Sequence, residues 1–199
     1  MSDSGRTAVL CDAPRIALTL GVIEPDLAQS LIAIAAPVLS TALVSQRAGE
    51  ATSLGRTCEV AKFAHDHSPT VSAIVDAMSV GAGIDARLSE SLNVIRYSVG
   101  GQYKPHFDAY PLVLGRRYTK GRGQRTHTAI GYLNDQLTGG ATIFPRLGVE
   151  VTPQTGAMLM FENCTRRGIM RDKKSLHAGE PVRRGEKWVA TLWFRQRPG

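Results

Sequence analysis

From Leu92 onward the chain is written as short alternating runs broken by turn residues, and no other feature constrains its fold as much. The runs are 92–99, 103–109, 126–133, 141–145, 149–152, 157–162, 175–178 and 187–196. Each is long enough for a strand and too short for a helix of ordinary length. Between them lie Gly100-Gly101, Asn134-Asp135, Gly139-Gly140 and Arg183-Arg184-Gly185, all chemically suited to turns. Eight such strands fit a double-sheet jelly roll, in which two antiparallel sheets cover one another's apolar faces. The last run shows the alternation best: Lys187, Val189, Thr191 and Trp193 on one face, Trp188, Ala190, Leu192 and Phe194 on the other.

The first ninety residues read differently. Residues 1–14 are expected to form a polar, flexible arm, and Ile16 to Ile23 alternates weakly as a first strand. Pro25 suits the first turn of a helix, where its missing N–H costs nothing. Leu27, Leu31, Ile34 and Val38 give that helix one buried face, and Pro37 ends or kinks it. Residues 46–57 read as loop. Ser68-Pro69 opens a second helix with Val71, Ile74, Val75 and Met78 as its stripe, stopped by Gly81 and Gly83. With 199 residues and 43% hydrophobic content the chain suits one domain, taken as residues 15–199. It holds no apolar run of transmembrane length and no secretory leader. Cys11, Cys58 and Cys164 are odd in number and widely spaced, unlike a disulfide framework or a zinc cluster, so the expected location is the reducing cytoplasm.

The chemistry gathers around His106-Phe107-Asp108. In extended backbone, side chains two apart share a face, so His106 and Asp108 can converge on one point. His177 is the candidate third ligand. Two histidines and one carboxylate make a facial triad that holds Fe(II) with open positions, although the same donors could hold zinc. Lys187 begins an apolar strand and needs an anionic partner, because burying an unpaired ammonium is costly. A dicarboxylic cosubstrate would supply one.

His106-x-Asp108, His177 and Lys187, together with Arg96-Tyr97, Gly101-Gln102-Tyr103, Tyr132-Leu133-Asn134-Asp135, Gly139-Gly140-x-Thr142-x-Phe144-Pro145 and His177-Ala178-Gly179-x-Pro181-Val182, resemble in order the prolyl 4-hydroxylase type of 2-oxoglutarate/Fe(II) dioxygenase. The resemblance covers about 92–197, with weaker matches upstream such as Arg56-Thr57. It implies a mainly β (α+β) double-stranded β-helix, a jelly roll with the N-terminal helices packed on one sheet. It implies Fe(II) on His106, Asp108 and His177, which are then also the catalytic residues. 2-Oxoglutarate would be anchored by Lys187 with Tyr97, Thr142 and Tyr132 beside it, O2 would be the oxidant and ascorbate the reductant. Tyr103, Arg125, Trp193 and Arg195 match positions near the substrate. For the two cosubstrate tyrosines and Trp193, ordinary strand packing accounts equally well for the residue type.

The implied reaction hydroxylates an unactivated C–H of a prolyl residue in a peptide or protein, with 2-oxoglutarate going to succinate and CO2. The same chemistry on a free amino acid or small biosynthetic intermediate is the alternative. Ala141 stands where an acidic residue is usual and Arg195 where a histidine is common, so the substrate side departs from the pattern. Much of the net charge of +7 brackets the site, in Arg116, Arg117, Lys120 and Arg122 of a glycine-containing segment 112–124, and in Arg166, Arg167, Arg171, Lys173 and Lys174. The first segment reads as a lid. The charge suits either an anionic substrate or a solvated surface. A pI near 9.7 invites nucleic acid, but no basic patch is interleaved with aromatics for base stacking, and the alkylation-repair oxygenases typically use arginine where Lys187 stands. A non-enzymatic jelly-roll binding module is the remaining class. The oligomeric state is unreadable, and no membrane partner is expected.

Overall fold

The eight expected runs are strands in a computed structural model that describes residues 5–41, 57–111, 119, 121–165 and 170–199. In chain order the elements are β1 (Thr7–Asp12), β2 (Arg15–Thr19), α1 (Pro25–Ala35), β3 (Ser40–Thr41), β4 (Glu59–Phe63), α2 (Pro69–Ala82), β5 (Leu92–Tyr97), β6 (Tyr103–His106) and β7 (Arg125–Tyr132). There follow β8 (Thr138–Gly139), β9 (Thr142–Phe144), β10 (Val149–Val151), β11 (Met158–Glu162), β12 (His177–Gly179), β13 (Val182–Arg184) and β14 (Lys187–Arg195). The expected runs correspond to β5, β6, β7, β9, β10, β11, β12 and β14. Pairing is antiparallel throughout, in a large sheet ordered β1-β2-β11-β7-β14-β5-β4-β3 and a smaller one ordered β10-β9-β12-β6. The fold is mostly β: these two sheets enclose an apolar layer, and β8 and β13 pair as a third, two-stranded sheet.

The expected N-terminal arm is corrected over residues 7–12, which form the edge strand β1 and pair with β2 from Thr7↔Thr19 to Asp12↔Arg15. The run Thr7-Ala8-Val9-Leu10 is a fair strand sequence that the polar composition of the first fourteen residues hides. The predicted strand at 16–23 stops at Thr19, and Gly21 takes the turn with a φ of 64°.

Both helices begin as their prolines predict. Ser68 caps α2 by accepting from the Val71 amide at 3.3 Å, and Gly83 ends it in the left-handed conformation. Gly81, expected to help stop the helix, lies inside its last turn. A side chain there would meet Met158 at 3.0 Å and Val22 at 3.1 Å, so the glycine lets α2 sit close on the sheet.

The buried residues fall into two clusters. Leu31, Val71, Ile74 and Met78 from the helices pack with Leu92, Val94, Trp188, Ala190, Leu192 and Phe194 on one face of the large sheet. Tyr132, Phe144, Leu159, Phe161 and Val189 fill the space between the two sheets. The alternation along β14 thus sends Trp188, Ala190, Leu192 and Phe194 toward the helices, leaving Lys187, Thr191 and Trp193 facing the inter-sheet layer. Each fully buried side chain of this size contributes roughly 1.5–3 kcal/mol of burial free energy. No helix among the described residues is long and apolar enough to cross a membrane. Of the expected lid, residues 112–118 and 120 lie outside the described residues, as do Arg56, Arg166 and Arg167.

Candidate functional site

The inter-sheet pocket collects its polar groups from six strands, β5, β6, β7, β9, β12 and β14. β6 and β12 are hydrogen-bonded neighbours whose register sets His106 directly opposite His177. Asp108 follows two residues after His106, just beyond the end of β6. One ligand atom from each of His106, Asp108 and His177 lies within 4.8 Å of the others. The Nε2 of His106 stands 3.6 Å from Asp108 Oδ1, and that of His177 stands 3.6 Å from Asp108 Oδ2. The imidazole centroids are 4.2 Å apart.

Both rings are oriented by backbone. His106 Nδ1 lies 2.9 Å from the Lys104 carbonyl, and His177 Nδ1 lies 2.9 Å from the Ser175 carbonyl. A carbonyl oxygen only accepts, so each Nδ1 carries the proton and each Nε2 keeps its lone pair for the interior. Burial, then the neighbouring His106, pushes His177 down to about 4, so it is neutral at physiological pH. Burial opposes ionisation of Asp108, but the two histidines and the Arg125 charge outweigh it and hold the carboxyl well below the usual range. Two imidazoles and one carboxylate, all aimed at one point, fit a divalent transition metal.

Lys187 opens β14 opposite Tyr97 and is 4% exposed. Its ammonium donates to the Gly140 carbonyl at 2.6 Å and reaches Thr142 Oγ1 at 3.4 Å. Both partners are neutral, and burial pushes its pKa down to about 7 against a weak opposing pull from Glu180. Thr142 Oγ1 also accepts from Tyr132 Oη at 2.9 Å. With two donors aimed at it, its own proton is left for an acceptor in the pocket it lines. Tyr97 and Thr142 lie in the pocket wall, whereas Tyr132 stands behind Thr142 and positions it. A buried ammonium, a hydroxyl and a metal-ligand set within one small pocket are the fittings a dicarboxylate needs.

On the substrate side the four expected residues separate. Tyr103 and Trp193 line the pocket. Tyr103 stacks on the His106 ring at 3.4 Å between centroids, and the Trp193 indole N–H is buried without a partner among the described residues. Arg125 sits outside the wall with its guanidinium 4.1 Å above the Trp193 ring. Arg195 is not at the pocket. It is 5% exposed, and its donors go to Gly123 O, Thr119 O, Glu90 and the Tyr110 hydroxyl. Arg195, expected near the substrate, is thus held by protein groups at Gly123, Thr119, Glu90 and Tyr110.

Glu90 is one of the residues at this site with no signal in the sequence. It holds Arg125 in a bidentate pair at 2.7 Å on each oxygen and also takes Arg195 at 2.7 Å. Burial opposes its ionisation, but the two arginines overcome this and lower its pKa. Because the folded value lies below the unfolded one of 4.5, the stabilisation is present above about pH 4.5 and is lost as pH falls through the folded value. Glu90→Ala would leave two guanidiniums facing each other; it is expected to lower unfolding free energy by about 3–5 kcal/mol at pH 7, measured by urea titration. The loss should shrink toward acid, and an equal loss at pH 3 and pH 7 would contradict the ion-pair account.

Two of the basic residues are likewise braces. Arg122 donates to the Ser89 carbonyl at 2.8 Å, and Arg171 donates twice to Ala109 O while covering the Phe107 ring at 4.5 Å. Lys173 and Lys174 are exposed.

Comparison with known proteins places this geometry in context. The model of the 2OG-Fe(II) oxygenase superfamily matches residues 92–195. Prolyl 4-hydroxylase 5 of Arabidopsis thaliana is 31% identical over 202 residues, covering 91% of this chain and 68% of that protein. The prolyl 4-hydroxylase subunit alpha-1 of Gallus gallus is 34% identical over 194 residues, covering 94% of this chain but 36% of its own length. The chain thus spans about a third of that relative. A viral collagen prolyl hydroxylase from Paramecium Bursaria Chlorella virus-1, solved with 2OG, superposes with a TM-score of 0.72 at 23% identity, covering 94% of this chain and 98% of that one. A prolyl hydroxylase from Trichoplax adhaerens, solved with a hypoxia inducible factor peptide fragment, gives 0.63 at 15% identity, covering 93% of this chain and 85% of that one. Both structural likenesses bear on the fold.

Proposed function

This chain belongs to the 2OG-Fe(II) oxygenase superfamily, among the prolyl 4-hydroxylase-type members, and on that premise we propose that it hydroxylates a prolyl residue in a peptide or protein. Fe(II), 2-oxoglutarate and O2 are the reactants of that family. The observation that carries the reading is the meeting of His106, Asp108 and His177 within 4.8 Å, in a pocket that also holds a buried Lys187.

His106, Asp108 and His177 would hold the iron, each imidazole through the Nε2 that its backbone hydrogen bond keeps unprotonated. Lys187 and the Thr142 hydroxyl would hold the far carboxylate of 2-oxoglutarate, with Tyr132 fixing the threonine and Tyr97 closing the wall. Once bound, iron and cosubstrate supply the chemistry: 2-oxoglutarate and O2 become succinate and CO2, and one oxygen atom enters the substrate C–H. The apolar wall of Ile95, Ile130 and Val189 keeps water from the reacting centre. The indole N–H of Trp193, without a partner among the described residues, supports an acceptor oxygen on the substrate, such as an amide carbonyl, with Tyr103 across the pocket. Arg125, stacked on that indole and held by Glu90, keeps the wall in place. The reading extends to one domain over 15–199, ascorbate as reductant and a cytoplasmic setting, the last supported by cysteines that are odd in number and widely spaced in sequence.

The test is an anaerobic titration with Fe(II) and 2-oxoglutarate, followed by exposure to O2 with proline-rich peptides and, separately, free amino acids. Succinate release coupled to a one-oxygen mass gain on peptidyl proline is expected. Gain on the free amino acids instead would move the substrate class, and no succinate with any substrate would remove the activity.

A further inference from the structure

Behind the three candidate ligands lies a second layer of buried polar side chains that no expectation included. Thr128, inward-facing on β7, donates its hydroxyl to Asp108 Oδ2 at 2.7 Å. Asn163, just past the end of β11, donates from Nδ2 to Thr128 Oγ1 at 2.8 Å. The Asn163 carbonyl accepts from the Asp172 amide at 3.0 Å and lies 3.3 Å from the Ser175 hydroxyl. Ser175 in turn offers the carbonyl that orients His177. Thr128, Asn163 and Ser175 are all at most 1% exposed.

The direction of these bonds follows from their chemistry. An ionised carboxylate only accepts, so the Thr128 proton must point at Asp108. The threonine oxygen is then an acceptor toward Asn163, which must present its amide N–H. Asp108 Oδ1 is left as the carboxylate oxygen with no hydrogen bond from a described residue. The Asn163 side chain thus reaches the carboxylate through Thr128, and its main-chain carbonyl, accepting from the Asp172 amide, ties it to the segment 172–175 that leads into His177.

We infer that Thr128 and Asn163 are positioning residues for the metal-ligand set, holding Asp108 in one rotamer and tying it to the segment that carries His177. This rests on the reading that His106, Asp108 and His177 hold a metal. Stability alone does not account for Asn163. Its Oδ1 is buried with no partner among the described residues, an unfavourable arrangement that a leucine of similar shape would remove. Partners that orient metal ligands in this way change metal affinity when they are lost.

Cobalt(II) titration of the metal-free full chain tests it, read by equilibrium dialysis and by the cobalt d–d spectrum, beside urea unfolding. Thr128→Val is expected to weaken cobalt binding about 10- to 100-fold and to alter the spectrum, and to lower stability as well, since Asp108 Oδ2 and Asn163 Nδ2 lose their partner. Thr128→Ser, which keeps the hydroxyl, is expected to bind as the wild type does. Asn163→Leu should weaken binding by a smaller factor, raise stability, and add nothing in the Thr128→Val background, because both act on one chain of bonds. Wild-type cobalt affinity and spectrum in Thr128→Val overturn the inference. If Thr128→Val does not fold, Asn163→Leu decides alone: wild-type affinity overturns the inference, and weakened affinity with raised stability supports it. A folded wild-type chain that takes up no cobalt overturns the metal reading and this inference with it.

Discussion

His177→Ala is expected to lose Fe(II) and all measurable hydroxylation while the protein remains folded. The side chain is 3% exposed, neutral, and aligned by its bond to Ser175, so its Nε2 lone pair has no other duty in the interior. Loss of a group that only orients a ligand costs about 10- to 100-fold in metal affinity, so loss of a ligand itself should exceed ~100-fold. The cavity left between Phe144, Phe161 and His106 can admit free imidazole, whose addition should restore part of the binding. His127→Asn is the control. That histidine is next to Thr128 on β7, but its strand register pairs it with Phe194, and its ring lies against Thr126. Alanine at 177 with wild-type Fe(II) affinity, or asparagine at 127 with an equal loss, would sink the assignment of the ligand set.

The parts of this fold that sequence could show are those with local cause. β5, β7 and β14 are legible because they are apolar runs of six residues or more, buried along most of their length and bounded by turn residues, Gly185 taking a φ of 76° before Lys187. β8 and β13 are two and three residues long, too short for any period to be read. His106 and Asp108 are two apart in sequence, whereas His177 stands far along the chain and meets them because β12 pairs with β6. Glu90 shows the limit plainly. Its partners stand 35 and 105 residues away, beyond the reach of any pattern within one element. Arg195 shows how a matched position can take other contacts. A histidine there is short, but a guanidinium is long enough to cross to Glu90, Thr119 and Gly123, and its donors are all taken before the pocket is reached. Thr128 and Trp193 pair across β7 and β14, so inward alternation could have put the threonine in the site; no local feature shows that it would face Asp108.

Lys187→Met should move cosubstrate affinity and stability in opposite directions. Methionine keeps the length and apolar stem of lysine and removes only the charge. Truncating one partner of a buried charged pair costs about 2–5 kcal/mol, so the dissociation constant for 2-oxoglutarate should rise roughly 30- to 4,000-fold. The empty protein should instead be at least as stable as the wild type. The lysine pKa falls from 10.5 unfolded to about 7 folded because burial penalises the ammonium. Below pH 7 that penalty is present in full; between pH 7 and 10.5 the unfolded chain binds the extra proton and stability rises with pH; above 10.5 the penalty is gone. The gain from methionine is therefore largest below pH 7. The groups around the ammonium, Gly140 O, Thr142 and the rings of Tyr97 and Tyr132, are uncharged at neutral pH, and Glu180 is the carboxylate that pulls on it. The same pKa makes 2-oxoglutarate binding take up a proton above pH 7, so wild-type affinity should weaken as pH rises from 7 to 9. Calorimetry in buffers of different ionisation enthalpy reads that proton directly. A methionine variant that binds 2-oxoglutarate normally, or wild-type binding with no proton uptake at pH 8, would show that Lys187 is not the anchor.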